Sequence, residues 1–131
     1  MVPKPLVLIV DDNERNRSLA SDVLGAAGLL TLEAATGRQC IAVALERRPD
    51  VILLDLRLPD MDGTDVAREL TSNPGTAGIP VVALTAVLAD GSGEWLSMGG
   101  FAGLIEKPID VREFPGRVLR YCGDPAPERS A

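Results

Sequence analysis

Val51-Ile52-Leu53-Leu54-Asp55-Leu56-Arg57-Leu58-Pro59-Asp60-Met61-Asp62-Gly63 is the stretch on which the fold turns. Its first four residues are apolar without alternation, the pattern of a strand buried on both faces inside a parallel sheet. Asp55 ends the run, and Pro59 and Gly63 break the chain beyond it. One carboxylate therefore stands where a buried strand meets a loop. Ligands of open α/β sheets bind outside the carboxyl ends of their strands, so what else reaches that edge decides the chemistry.

Working outward, Leu6-Val7-Leu8-Ile9-Val10 is a second apolar strand and runs directly into Asp11-Asp12. Val81-Val82-Ala83-Leu84 ends in Thr85, and Leu104-Ile105 leads through Glu106 to Lys107-Pro108. Four apolar runs thus end in an acid pair, an acid, a hydroxyl and an ammonium. Acids packed this closely raise one another's pKa unless a cation joins them, and an all-oxygen set suits a hard divalent ion such as Mg²⁺. The competing reading is that each Asp caps the turn or helix after its strand. For one Asp capping is the simpler account; the ordered set with Thr85 and Lys107 favours a site.

Between the strands the period changes to that of helices. Ala20, Val23, Leu24 and Ala27 share one helical face, with Gly28 as the stop. Leu30 to Glu33 forms a short strand, and Gly37 opens a helix with Ile41, Ala44 and Leu45 inward, closed by Pro49. Thr64 caps a helix through Leu70. The segment from Asp90 to Gly100 contains four glycines, each costing ~1 kcal/mol in a helix interior, so it is expected to form a weak helix, one that carries the sole tryptophan, Trp95. Asp110 and Glu113 are spaced as a capping box for a last helix whose face would hold Val111, Phe114, Val118 and Tyr121. Pro115-Gly116 predicts a kink or a late start there. The alternation predicts an α/β fold, a single five-stranded parallel sheet with helices on both faces. Residues 1–122 form one domain and 123–131, with Pro125 and Pro127, a flexible tail.

A chain of 131 residues is enough for one such domain, and the expectation is that no output domain is attached. A formal charge of −6 with scattered arginines argues against nucleic-acid binding. With no apolar run of membrane-spanning length and no leader pattern, a cytoplasmic protein without membrane contact is expected. Cys40 and Cys122 lack metal spacing and read as free thiols with packing roles. Lysine occurs only at Lys4 and Lys107, against eleven arginines. Chance is the lesser account of this; a compact point charge on a flexible stem suits a strand end that faces three acids.

The ordered set Asp11-Asp12, Asp55 with Leu58-Pro59 and Met61-Asp62-Gly63, Thr85-Ala86 and Lys107-Pro108 resembles the receiver domain of two-component response regulators, the CheY-like superfamily, over residues 5–121. The run Val10-Asp11-Asp12-Asn13-Glu14-Arg15-Asn16-Arg17 is closest in look to stand-alone, DivK-like regulators and to hybrid-kinase receivers. The resemblance implies a doubly wound, flavodoxin-like sheet of order 2-1-3-4-5. It implies a phosphorelay or two-component switch in which Asp55 accepts a phosphoryl group from a sensor histidine kinase or a histidine phosphotransfer protein and the signal passes by protein contact to a downstream target, as a monomer or a phosphorylation-linked dimer. Mg²⁺ or Mn²⁺ would be held by Asp12, Asp55 and the Arg57 backbone carbonyl, with Asp11 acting through water. Thr85 and Lys107 would each meet a phosphoryl oxygen. The chain has no histidine, so it supplies no phosphohistidine itself.

The resemblance also marks tuning positions. Arg57 and Val87 would flank the path of hydrolytic water, predicting a long-lived phosphoryl group, and small Ala86 would leave the site open to a partner. Leu104 stands where the family usually has an aromatic residue coupled to the hydroxyl. That departure motivates one alternative, a receiver-fold binding module that works without phosphorylation. A more remote alternative is a phosphatase of the haloacid-dehalogenase type, since Asp60-Met61-Asp62-Gly63-Thr64 matches that family's nucleophile loop; yet Asp60 does not directly follow the strand, and Arg57 occupies the place of the general acid.

Overall fold

The computed structural model describes residues 4–85, 100–107 and 109–122. Along the chain run β1 (Leu6–Val10), α1 (Glu14–Ala26), β2 (Leu30–Ala34), α2 (Gly37–Arg47), β3 (Val51–Asp55), α3 (Gly63–Ser72), β4 (Val81–Thr85), β5 (Gly103–Glu106) and α4 (Phe114–Tyr121). The five strands form one parallel sheet in the order β2-β1-β3-β4-β5.

Alternation along each strand builds two cores. Val7, Ile9, Val51, Leu53, Val82, Leu84 and Ile105 pack with Ala20 and Leu24 of α1 and with Phe114 and Val118 of α4. Leu8, Val10, Ile52, Leu54 and Val81 pack with Cys40 and Ala44 of α2 and with Val66, Ala67 and Leu70 of α3. Since β3 and β4 are buried along their whole length, their sequences must be apolar on both sides, which is why no alternation shows in them. β2, at an edge, leaves Leu30 half exposed and carries Thr31 and Glu33.

Side-chain parity also places the site. Residues 7, 9 and 11, residues 51, 53 and 55, and residues 105 and 107 all follow the period-2 series of the α1/α4 core. The ladder carries this geometry past two strand ends, because Asp11 N–H donates to the Ala34 carbonyl (3.1 Å) and Lys107 N–H to the Thr85 carbonyl (3.0 Å). Asp11, Asp55 and Lys107 therefore leave three strands on the same side of the sheet.

Several local readings are corrected. Leu45 is 40% exposed, because the inner stripe of α2 runs through Gly37, Cys40 and Ala44. Ala27 is the C-cap of α1 and lies exposed, outside the helical face assigned to it. α3 is capped by Asp62, whose carboxylate accepts from Thr64 N–H, and it continues to Ser72. The capping box of the last helix does not form. Asp110 instead closes a turn, accepting from Arg112 N–H at its carboxylate and from Phe114 N–H at its carbonyl. The helix starts late, with Pro115 in its first turn, where the missing N–H costs nothing, so Val111 precedes it and is 52% exposed. The expectations for Ala86, Val87, the Asp90 to Gly100 helix with Trp95 and the tail fall outside the described residues, except at Gly100 itself.

Candidate functional site

Asp11 is fixed from every side. It is 2% exposed, its Oδ1 accepts from Asn13 N–H (2.9 Å), and its Oδ2 takes the Lys107 ammonium at 2.8 Å. Asn13 in turn caps α1, its side chain accepting from Asn16 N–H (3.1 Å). Asp12, the next residue, is exposed. One acid of the pair is thus held by the protein while the other faces solvent.

Asp55 ends β3 with its Oδ1 accepting from Arg57 N–H (2.9 Å) and its Oδ2 from Lys107 Nζ (3.1 Å). Burial raises the Asp55 carboxyl above its usual range, and the negative charge of Asp11 adds to this, although the Arg57 amide and the Lys107 ammonium pull it back down. For Lys107 the balance differs. Burial lowers its pKa, but its bonds to Asp11 and Asp55 outweigh that, so the ammonium is held charged above its ordinary 10.5.

Carboxylate oxygens of Asp11, Asp12 and Asp55 lie within 4.8 Å of one another. Three carboxylates face one ammonium, so two negative charges are left over when all are ionised, a balance that a divalent cation would close. The donor set is all oxygen, of hard character, and two of its three acids are buried. Residues and site therefore fit such an ion.

Thr85 is buried at the end of β4, beside Glu106 in the ladder and bonded through its carbonyl to Lys107 N–H. Arg57 is exposed and forms an isolated antiparallel bridge with Asp62, which folds the loop back on itself. Leu104 lies partly buried in β5 opposite Ala83, and its carbonyl accepts from Arg117 of α4 (3.2 Å). A cleft lined by Ile9, Asp11, Asn16, Leu84, Lys107 and Ile109 opens beside the acids.

The acids of the Asp60 to Thr64 motif have other work. Asp60 accepts from the N–H groups of Gly37 (2.8 Å) and Arg38 (3.1 Å) at the start of α2, and the Gly37 bond chiefly holds its carboxyl below the usual range. Asp62 caps α3. Both carboxylates serve helix N-termini, and neither belongs to the acid cluster around Asp55.

Arg17 carries no clear mark of a role in the sequence alone. Its guanidinium donates to the Asp11 carbonyl (2.7 Å) and pairs with Glu33 of β2 (3.2 Å). Its i+4 relation to the cap Asn13 was the available signal, but only the fold brings Glu33 alongside.

A five-stranded doubly wound sheet carrying an acid trio and a lysine at its carboxyl edge defines a receiver. The sequence model of the response regulator receiver domain matches residues 7–119, and the chain belongs to that family. It is 38% identical over 118 residues to the polar-differentiation response regulator DivK of Brucella anthropi, covering 90% of this chain and 96% of the relative, and 37% identical over the same length to DivK of Brucella ovis. Among solved structures it is similar to the chemotaxis response regulator CheY4 of Vibrio cholerae, with a TM-score of 0.85 and 27% identity over 91% of this chain and 99% of the other. The receiver domain of the sensor histidine kinase PA1611 from Pseudomonas aeruginosa, described with a magnesium ion coordinated in its active-site cleft, matches at a TM-score of 0.84 and 30% identity over 93% of this chain and all of the other.

Proposed function

We propose that this chain is a phosphorylation-controlled switch or phosphorelay intermediate that accepts a phosphoryl group on Asp55 from a phosphohistidine of a sensor histidine kinase or histidine phosphotransfer protein. The observation that carries the reading is the convergence of Asp11, Asp55 and Lys107 within hydrogen-bond distance, with Asp12 closing the acid trio. Asp55 Oδ is the nucleophile: it forms a bond to phosphorus as the bond to the histidine nitrogen breaks, and the nitrogen keeps the electron pair. Thr85 and Lys107 supply donors to the transferred oxygens. Water attack on the acyl phosphate returns Asp55 and inorganic phosphate.

Asp12, Asp55 and the Arg57 carbonyl would hold Mg²⁺ or Mn²⁺, which when bound offsets charge on the transferring group. Asp11 is already engaged by Lys107 and Asn13, which supports an indirect role through water. Arg57, exposed two residues after the acceptor, is assigned to shielding the acyl phosphate, so Arg57→Ala should hasten its loss. Output is by contact with a downstream protein, in the cytoplasm.

The test is the intact mass of the wild-type chain and of Asp55→Asn after acetyl phosphate, with and without Mg²⁺. One phosphoryl group gained by the wild type with Mg²⁺, and none by the variant, is expected. No gain from acetyl phosphate or from a histidine kinase would favour the phosphorylation-independent binding module that Leu104 motivates.

A further inference from the structure

We infer that Arg17, bridged to Glu33, is a positioning residue for the acid site, setting the direction in which Asp12 meets a divalent cation. The inference rests on the metal-binding part of the function proposed above. Asp11 is held at three points besides Arg17: its N–H by the Ala34 carbonyl, and its carboxylate by both Asn13 N–H and Lys107. What remains is the peptide plane joining Asp11 to Asp12. Rotation of that plane swings the Asp12 Cα, and with it a carboxylate that is exposed.

Arg17 takes hold of that plane by its carbonyl oxygen, at 2.7 Å. Its own guanidinium is held by Glu33, one residue before the Ala34 that pairs with Asp11, so carbonyl and amide of Asp11 are both referred to the same strand, β2. Arg17 is only 16% exposed in its side chain despite its place on the first turns of α1. A planar fork can serve a carbonyl and a carboxylate at once along fixed directions, whereas a lysine ammonium offers no such rigid pair.

The sign of the effect separates positioning from simple charge. Removing a positive group near three acids should tighten cation binding if Arg17 acts only through its field. If it positions Asp12, removal should weaken binding, by roughly 10-fold, the lower end of what outer-shell partners of metal ligands contribute. Arg17→Lys keeps the charge and loses the bridge, so it should weaken binding as well, and Glu33→Gln should weaken it less than either.

The experiment is titration calorimetry of Mg²⁺, and separately Mn²⁺, into the wild type, Arg17→Gln, Arg17→Lys, Glu33→Gln and the remote control Arg68→Gln, with thermal melts in EDTA to establish folding. Weaker binding in both Arg17 variants with an unaltered control is the expected result. Unchanged or tighter binding in Arg17→Gln, or full affinity in Arg17→Lys, overturns the positioning role. Failure of the wild type itself to bind either cation would instead overturn the metal site. Should Arg17→Gln fail to fold, Arg17→Lys and Glu33→Gln decide the question alone.

Discussion

Replacing Lys107 by Met tests whether the acid site is stabilised by that ammonium. The methionine keeps length and packing but leaves Asp11, 2% exposed, and Asp55, 12% exposed in its side chain, facing each other and Asp12 without a counter-charge. Each contact at about 3 Å is worth roughly 5 kcal/mol of gross attraction at an effective dielectric near 20, and burial of the ammonium offsets much of it. Breaking a buried pair costs about 3–5 kcal/mol. Because the Lys107 side chain is 20% exposed, the lower end applies, about 3 kcal/mol at neutral pH. With a urea slope of about 1.5 kcal/mol per molar, the midpoint should fall by roughly 2 M. The deficit has a pH signature. Without the ammonium, the Asp55 carboxyl, already raised by burial, should rise further above its unfolded value, so the variant regains stability as pH falls and loses it as pH rises through the folded pKa. Urea unfolding in EDTA at pH 7.5 and at pH 5 measures both. An equal loss at the two pH values, or a loss below about 1 kcal/mol, would refute the reasoning.

Asp55→Asn should stabilise the metal-free protein at neutral pH. The folded pKa of Asp55 is raised by burial, so its contribution favours folding below the unfolded value and fades as pH rises; the gain from the variant should vanish toward pH 3.8 and below, read by thermal melts across pH. In the wild type, the raised Lys107 pKa makes its stabilisation complete below pH 10.5 and lost above it, so alkaline unfolding should begin there and shift in Lys107→Met. Gly63→Ala should cost about 1–3 kcal/mol, since an added Cβ would lie 2.7 Å from Leu56 Cα and 3.1 Å from the Asp55 carbonyl oxygen, both backbone; a melt checks it. Burial pushes the Cys40 thiol up to about 12, so a disulfide reagent at pH 8 should leave Cys40 unmodified until urea is added.

Much of this molecule is legible from the chain because a parallel sheet writes itself plainly. Strands buried on both faces become unbroken apolar runs, and polar residues resume only where the sheet ends. Asp11, Asp55, Thr85 and Lys107 stand at those points and so announce themselves. Helix boundaries were harder, because local patterns compete. Asp110 and Glu113 spell a capping box, yet Pro115 fits the first turn of a helix starting later, and the backbone takes that option. Strand order came from resemblance, since no local pattern tells β1 to lie between β2 and β3. Arg17 was invisible for a related reason: one of eleven arginines, it gains its meaning from Glu33 on a strand sixteen residues away.

The two bonds of Lys107 reach back 96 and 52 residues. Until the fifth strand docks, a chain whose first three strands have paired holds its acids together without the ammonium. Such a chain opposes its own closure, and any divalent cation that occupies it would stand in for the missing lysine. On the metal-binding reading proposed above, a divalent cation bound there would favour the partly paired sheet, and the last strand would take over part of a charge balance already struck. Depletion of the ion should slow the maturation of new chains while leaving finished ones folded.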